Sequence, residues 1–328
     1  MNTIINFLYY SVRMGVSLIF GTTGEIITEK SGSLNLGVEG MMAMGAIGGY
    51  WLACTTNSLF MGFVGAFLSA ALGALIYAFL TVTLQANQNV TGLALTIFGN
   101  GIYLFIGRSL TVANKFPSLN DLPRLKNLVA DNGIPVLRDI PYIGKLLFSY
   151  NVFVYIAIIV AVFCWIYISK TKPGLRVRAL GENPGAADAC GVNVNRMKYF
   201  NIILGGGITG FGGLYLAFVS NGGAWNEQWV NGMGWISVAL VIFANWSPLK
   251  AIFGGCFFGM FKVLMARKGN LADEFPRLLG WLNNIPNEFY QLLPFLITAL
   301  VLIFASVSKK KKNAEPAALG LNYYREER

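Results

Sequence analysis

The stretch GLRVRALGENPGAADACGVNVNRMKYF, residues 174–200, interrupts an otherwise apolar chain with a polar and basic segment. Its centre has the signals of a helix start, because Asn183 is a preferred N-cap residue and Pro184 suits the first helical position. The small residues that follow supply little more than one turn, and Gly191 suits a helix end. The stretch therefore predicts a short helix between two long apolar segments.

The composition around this stretch is that of an integral membrane protein. Of the 328 residues, 55% are hydrophobic and 12% are charged. A soluble domain carries about 25% charged residues, so this chain could hardly cover a water-facing surface. The net charge of +10 indicates basic residues on the cytoplasmic side of a membrane rather than a nucleic-acid partner. Histidine is absent and the four cysteines are widely spaced, so no metal, cofactor or disulfide framework is predicted.

Nine apolar segments approach the length of about 20 residues that a helix needs to cross a bilayer. They cover residues 4–24, 37–54, 58–84, 91–108, 150–169, 199–220, 232–247, 249–266 and 286–307. We therefore predict an all-α polytopic membrane protein with about 8–10 transmembrane helices. Glycine clusters interrupt several segments, so broken or re-entrant helices are expected among them. Residues 1–308 are predicted to form a single transmembrane domain, and 309–328 a basic cytoplasmic tail.

The distribution of Lys and Arg predicts the orientation in the membrane. Basic residues crowd the loop 170–198 and follow the last segment directly at Lys309–Lys312, so both regions are assigned to the cytoplasm. The loop 109–149 is then extracellular, and nine spans place the N-terminus outside. Prolines divide this loop into short amphipathic pieces, which suits either a membrane surface or a docking platform for an extracellular partner.

Four blocks of the chain, in order, resemble one family of membrane transport proteins. They are GEIITEKSGSLNLGVEGMMAMGAIGGY (24–50), IPVLRDIPYIGKLLF (134–148), the run that begins at Gly174, and GMGWISVALVIFANWSPLKAIFGG (232–255). These blocks are similar to permease subunits of bacterial ABC importers of the branched-chain amino acid, simple sugar and nucleoside group. The resemblance is to the nucleoside-type branch, which works with a lipoprotein of the basic membrane protein class.

The resemblance implies a fold like that of a type II ABC importer permease in the bacterial cytoplasmic (inner) membrane. It implies three protein partners: a second permease subunit in a heterodimer, a cytoplasmic ABC ATPase, and an extracellular or periplasmic substrate-binding lipoprotein. The chain has no GxxxxGK[ST] phosphate loop, so ATP hydrolysis is expected in the separate ATPase and no enzymatic activity here.

The same resemblance implies that the short helix docks on the ATPase. On the residues alone, an ordinary intracellular loop helix is an equal alternative. The expected coupling residues are Glu182, Asn183, Pro184, Ala186, Ala187, Asp188 and Gly191.

The implied cargo is a small polar solute, with nucleosides favoured over simple sugars or flavin-like molecules. A self-sufficient secondary transporter is a less favoured alternative, because intramembrane charges are sparse. An intramembrane enzyme is the least favoured, because histidine and paired intramembrane acids are lacking.

Candidate residues for the translocation pathway are few, since charge within a membrane usually faces a cavity or a partner. One hypothesis is that Arg13 and Glu39 pair between helices or line the pathway, and the favoured alternative is that both side chains reach an interface. Asn35 and Gly37 lie in a polar break that predicts either a buried re-entrant element or a plain turn. The predicted pathway residues are Arg13, Asn35, Gly37, Glu39, Asn89 and Trp235.

Two further features have alternative interpretations. The tryptophans, among them Trp225, Trp229 and Trp246, suit either interfacial anchoring or stacking on a ring of the cargo. The glycine cluster GGGITGFGG, residues 205–213, predicts close packing of helices rather than a nucleotide-binding loop, because no strand precedes it.

Overall fold

A computed structural model describes residues 2–135, 137–141, 143–274, 280–307 and 315–324. Over these ranges the chain forms helices joined by turns and irregular segments, without a strand. The helices are α1 Asn2–Lys30, α2 Val38–Thr56, α3 Leu59–Ala78, α4 Gln88–Val112, α5 Pro123–Val129, α6 Val152–Lys170, α7 Lys172–Glu182, α8 Pro184–Ala189, α9 Val194–Tyr215, α10 Met233–Phe243, α11 Pro248–Glu274 and α12 Asn287–Val307. Two π-helical turns, Phe79–Thr83 and Leu216–Ser220, extend α3 and α9.

Each of the nine predicted apolar segments is helical, and the predicted all-α membrane fold is confirmed. Within the described ranges, six helices, namely α1, α3, α4, α6, α9 and α11, are long and apolar enough to cross a membrane. Helices α2 and α12 cover two of the remaining predicted segments. The ninth segment forms α10, which has only 11 residues and is about 17 Å long. Such a helix reaches only partway across a bilayer, as expected for a broken segment.

The bundle has two distinct ends. At the basic end, the turn between α1 and α2 meets the turn between α3 and α4, where the Leu34 N–H donates to Gln88 Oε1 at 2.7 Å. Lys30 and Lys170 end α1 and α6 there. At the loop end, residues 113–151 pack on the bundle, and the Tyr50 hydroxyl donates to the Pro117 carbonyl at 3.0 Å.

Glycines allow the central helices to approach closely. Gly24 of α1 and Gly205 of α9 face each other, so that a Cβ atom at either would overlap the opposite backbone. A Cβ atom at Gly45 of α2 would overlap the backbone of Gly210 in α9, and one at Gly210 would overlap the backbone of Ala66 in α3. Small residues at such crossings favour helix association in lipid, where no hydrophobic driving force acts between helices. The packing role predicted for the cluster 205–213 is therefore confirmed.

Two predicted boundaries at the basic end were wrong. The first predicted span ends at residue 24, but α1 continues to Lys30 because its last turns are buried in the protein. The predicted loop that starts at residue 170 instead contains α7, which begins at Lys172. Thr171 caps this helix, its hydroxyl oxygen accepting from the Gly174 N–H at 3.1 Å.

The loop between α4 and α6 consists of short helical pieces, as its prolines predict. Besides α5, these are the turns Leu119–Asp121, Leu137–Asp139 and Gly144–Phe148. Leu119, Leu125 and Val129 are buried, so part of the loop lies against the bundle.

The tail predicted to be separate from the membrane domain is partly bound to it. Residues 315–324, called here the C-terminal segment, lie against the basic end of the bundle, where the Ala318 N–H donates to the Gly181 carbonyl at 2.9 Å. The residues Lys309–Lys312, on which the orientation was partly based, lie outside the described ranges.

Candidate functional site

The short helix α8 begins and ends as the sequence predicts. Asn183 has an extended backbone, and its Oδ1 accepts a hydrogen bond from the Ala186 N–H at 3.0 Å. Pro184 is the first residue of the helix. Gly191 follows the helix with a φ of +82°, a left-handed conformation that glycine adopts at least cost. The caps therefore form from residues within the helix itself and its immediate flanks.

The predicted coupling residues do not share one face of α8. Ala187 is buried with Leu180 of α7 and Val194 of α9, so it anchors α8 to its neighbours. Asp188 is half-buried and accepts a hydrogen bond from the Tyr323 hydroxyl at 2.8 Å. The exposed members of the predicted set are Glu182, Asn183, Ala186 and Gly191.

A second irregular element lies where α10 begins. Residues 221–232 join α9 to α10 without regular structure, and Asn231 and Gly232 both have positive φ, 44° and 80°. The first residue of α10, Met233, is only 1% exposed. The chain therefore turns directly before a buried helix start.

Glu39 of α2 caps α10 from a distance. Its carboxylate oxygens accept hydrogen bonds from the Gly232 N–H at 2.7 Å and the Gly234 N–H at 2.6 Å. The first amides of a helix lack partners within the helix and carry partial positive charge, so a carboxylate is stabilising there. Glu39 is buried, and its carboxylate joins α2 to the start of α10.

The predicted pairing of Arg13 with Glu39 is wrong. The Arg13 guanidinium lies 3.2 Å from the Asp131 carboxylate in the loop between α5 and α6. Helices α1 and α2 are antiparallel, so Arg13, in the first half of α1, lies towards the loop end. Glu39 lies in the first turn of α2, which begins at the basic end. A role of Arg13 in the pathway stays a prediction.

Lys262 of α11 lies beside this break and contacts Met233 through its ammonium group. Two cavities of about 160 and 150 Å³ adjoin the break, and Asn231 and Lys262 line both of them. We call Glu39, Asn231, Gly232, Met233 and Lys262 the break site.

The two cavities differ in chemistry. Asn221 and Gln228 line the cavity of about 160 Å³, whereas Phe261 and Tyr290 line the cavity of about 150 Å³. Hydrogen-bonding groups and ring faces therefore meet at one place inside the chain, which suits a small polar ring compound. No cluster of metal-binding side chains occurs in the part of the chain that the structure describes.

Sequence reasoning missed most of the break site. It singled out Glu39, whereas Asn221, Gln228 and Asn231 were not among the predicted residues. The available signal was the run GGAWNEQWVNGMGW, residues 222–235, which is polar and rich in glycine between two apolar segments. Nothing in that run indicates Glu39 as a partner, because 193 residues separate Glu39 from Gly232.

Asn35 and Gly37 lie in the short turn between α1 and α2, and both are buried. The Asn35 side-chain and backbone N–H groups donate to the Glu25 carboxylate at 3.2 and 3.1 Å. The Asn35 Oδ1 accepts from the Gly37 N–H at 2.9 Å. The polar break is thus buried in protein and tied to α1, and its place in a pathway stays a prediction.

The remaining pathway candidates differ in their surroundings. Asn89 is exposed in the first turn of α4, and Trp235 is half-buried in the first turn of α10, next to the break site. Two other tryptophans pack within the protein. Trp229 donates its indole N–H to the Ala224 carbonyl at 2.8 Å, and Trp246 donates to the Glu29 carboxylate.

One known protein family matches most of this chain. The family profile described as the branched-chain amino acid transport system permease component matches residues 6–302. The chain belongs to this permease family.

Individual relatives of this permease match over nearly its whole length. A Haloferax volcanii protein named as a proposed glucose ABC transporter permease is 33% identical, over 96% of both chains. The nucleoside ABC transporter permease NupC of Lactococcus lactis is 32% identical, over 98% of this chain and 96% of the relative. The guanosine ABC transporter permease NupQ of Bacillus subtilis is 32% identical, over 87% of both. No solved structure matches the chain.

The permease family and the six long apolar helices together define what this chain is. It is a multi-pass membrane protein and a transport component of the ABC transporter class. Helix α8 and the break site are two elements of this permease whose roles in transport need an explanation.

Proposed function

We propose that this permease forms half of the translocation pathway of an ATP-driven importer for nucleosides. The observation that carries the proposal is similarity over 98% of the chain to a permease named for nucleosides, together with a second relative named for guanosine. ATP hydrolysis belongs to a separate ABC ATPase, and a second permease subunit completes the pathway.

The basic end faces the cytoplasm in this proposal. Lys and Arg flank the helix ends there, at Lys30, Lys170 and throughout α7, which matches the distribution expected for cytoplasmic loops. The loop end then faces outward, where residues 113–151 and the exposed Arg108–Glu227 ion pair are available to a substrate-binding lipoprotein.

Helix α8 is the docking element for the ATPase. It is a capped helix of small residues held against α7 and α9 by Ala187. Such a helix can enter a groove on a partner and pass a rigid-body movement to the membrane helices that follow it.

The docking proposal is tested with Ala186→Arg, which enlarges the exposed face of α8. We expect the variant chain to lose co-purification with the ATPase. Ala130→Arg, at an exposed alanine of the loop end, serves as the matched control and retains the ATPase. Equal ATPase recovery from both variants would exclude α8 as the docking element.

The break site lies in the pathway for the solute. Backbone that is not helical is tolerated at membrane depth where it lines a cavity, and Asn231 and Gly232 line a cavity here. The carboxamides of Asn221, Gln228 and Asn231 can hydrogen-bond the polar edge of a nucleobase or the hydroxyls of a ribose.

A pair of lysine variants tests this location. Lys262→Met is expected to lower nucleoside uptake by about tenfold, because a hydrogen bond to a charged group contributes about 1.5–3 kcal/mol. Lys250→Met, at an exposed position at the start of α11, leaves uptake unchanged. Both measurements use assembled transporters at equal abundance. Normal uptake by Lys262→Met would exclude the break site from the pathway.

The cargo is tested by uptake of labelled purine and pyrimidine nucleosides in cells with and without this chain. We expect uptake to depend on the chain and to be unaffected by excess ribose, glucose or riboflavin. The second candidate cargo is a simple sugar, because the Haloferax volcanii relative carries a glucose name. Loss of sugar uptake with unchanged nucleoside uptake would establish that alternative.

A further inference from the structure

The C-terminal segment is held at the basic end by directed hydrogen bonds. The Ala318 N–H donates to the Gly181 carbonyl, at the end of α7, at 2.9 Å. The Gly320 N–H donates to the Gly32 carbonyl, in the turn between α1 and α2, at 3.3 Å. Pro316 and Ala318 are buried. Ten residues that follow the last helix in sequence therefore return to the bundle and lie beside α7.

Asn322, two residues after Gly320, binds the turn between α3 and α4. The Asn322 Nδ2 donates to the Gln85 carbonyl, and Asn322 Oδ1 accepts from Gln88 Nε2 at 3.1 Å. Gln88 Nε2 also donates to the Leu321 carbonyl at 3.3 Å. Gln85 has a positive φ of 54°, so the segment binds a residue of this connection that has a left-handed backbone conformation.

Tyr323 contacts both sides of a gap in the basic end. A cavity of about 340 Å³ lies between Gln85 on one side and Asp188, Asn193 and Asn195 on the other, and Tyr323 lines it. The Tyr323 carbonyl accepts from Gln85 Nε2 at 3.2 Å, while the Tyr323 hydroxyl donates to the Asp188 carboxylate at 2.8 Å. One residue thus joins the α3–α4 turn to α8 across the cavity.

The Tyr323 ring also packs against the small apolar cluster that supports α8. That cluster consists of Leu180, Ala187 and Val194, with Val192 and Met197 beside them. The hydroxyl and the ring therefore contact the same short helix, the hydroxyl at Asp188 and the ring on its buried side.

We propose that the C-terminal segment, through Tyr323, positions α8 and links its displacement to the turn between α3 and α4. Helix α8 packs on α7 and α9, and the segment adds a second connection that does not follow the chain. Because a cavity rather than close packing separates the two sides, this connection depends on a few directed hydrogen bonds. Tyr323 is a positioning residue. The inference rests on the proposed docking of α8 to an ATPase only for its effect on transport.

The first test measures backbone hydrogen exchange in the purified full-length permease in detergent. In Tyr323→Phe, the amides of residues 186–192 are expected to exchange about three- to tenfold faster, because one hydrogen bond to a carboxylate is lost. Tyr324→Phe, at the adjacent exposed tyrosine, removes the same group and is expected to leave exchange unchanged. Unchanged exchange of residues 186–192 in Tyr323→Phe and also in Tyr323→Ala would overturn the proposal.

The second test measures transport in proteoliposomes that contain the complete transporter, isolated from its host with the ATPase bound. Tyr323→Phe is expected to reduce the amount of nucleoside imported per ATP hydrolysed by about threefold, while the ATPase remains bound. Tyr324→Phe is expected to match the unmodified chain. An unchanged import ratio in Tyr323→Phe would show that the contact does not serve coupling.

The Ala186→Arg variant separates the two proposals. If it loses the ATPase while both Tyr323 variants behave normally, the C-terminal segment has no positioning role, and the docking proposal stands. If it retains the ATPase while Tyr323→Phe still accelerates exchange in α8, the positioning role stands, and the docking proposal fails.

Discussion

Two short helices of this permease begin after a break, and they satisfy their first amides in opposite ways. Helix α8 is capped by Asn183, the residue directly before it. Helix α10 follows Gly232, which has no side chain to offer, and receives its cap from Glu39, 193 residues earlier. One helix start is therefore complete within a few residues, whereas the other exists only in the folded chain.

This difference has a mechanical consequence. Helix α8 carries its cap with it when it moves, so displacement does not cost the Ala186 N–H its hydrogen bond to Asn183. Helix α10 cannot separate from α2 without leaving two amides or a buried carboxylate unpaired. We therefore expect α2 and α10 to move as one unit during transport, and α8 to keep its N-terminal cap when it is displaced.

The strongest test of the comparison removes the distant cap. Glu39→Ala leaves the Gly232 and Gly234 amides without their acceptor, and we expect a loss of about 3 kcal/mol in unfolding free energy. Thermal unfolding of the purified permease in detergent measures this loss. Glu182→Ala, at an exposed carboxylate of α7, is the control and changes stability by less than about 0.5 kcal/mol. Equal unfolding midpoints for the two variants would mean that Glu39 does not hold the start of α10.

The end of α8 provides a smaller test, confined to one element. Gly191→Ala places a side chain at a φ of +82°, and we expect α8 to lose about 1–2 kcal/mol of local stability. No atom lies within 4 Å of the added Cβ, so the cost comes from the backbone conformation rather than from a clash. Gly185→Ala, inside the same helix, is expected to be neutral or stabilising. Hydrogen exchange of the α8 amides distinguishes the two, and similar exchange in both would contradict the assigned helix end.

The local cap is expected to contribute slightly less. Asn183→Ala removes the acceptor for the Ala186 N–H, and helix α8 should lose about 1 kcal/mol of local stability. Asn183→Asp retains a capping oxygen and should restore the exchange rates of the α8 amides. A failure of Asp to restore them would show that the Asn183 side chain acts through something other than the cap.

The smallest effect is expected at an exposed pair that is also distant in sequence. The Arg108 guanidinium donates to the Glu227 carboxylate at 2.7 Å, which lowers the pKa of Glu227 below its ordinary value. The stabilisation by this pair is therefore present above about pH 4.3 and is lost as the pH falls through the lowered pKa.

Because both side chains are exposed, solvent and salt screen this ion pair. We expect Arg108→Gln to lower the unfolding midpoint only slightly at neutral pH, and not at all once Glu227 is protonated. Arg124→Gln, at another exposed arginine of the loop end, controls for the loss of charge. If Arg108→Gln lowered the unfolding midpoint as much as Glu39→Ala does, burial of Glu39 would not explain why its cap on α10 is strongly stabilising.

The sequence predicted those features whose physical cause lies within a few neighbouring residues. Apolar segments of sufficient length predicted the membrane helices. Asn183, Pro184 and Gly191 predicted the ends of α8, because the cap forms between neighbouring residues. The glycines of the cluster 205–213 indicated close helix packing for the same reason, since the missing side chain is itself the property that matters.

The tertiary structure alone decided which distant groups meet. In the folded chain, Arg13 pairs with Asp131 rather than with Glu39, and Glu39 binds the first amides of α10. Tyr323 donates a hydrogen bond to Asp188. A buried amide or carboxylate can form a hydrogen bond with any partner of suitable chemistry, so residue type alone does not specify the pair. The packing of antiparallel helices fixes which ends are adjacent, and only that packing selects the partner.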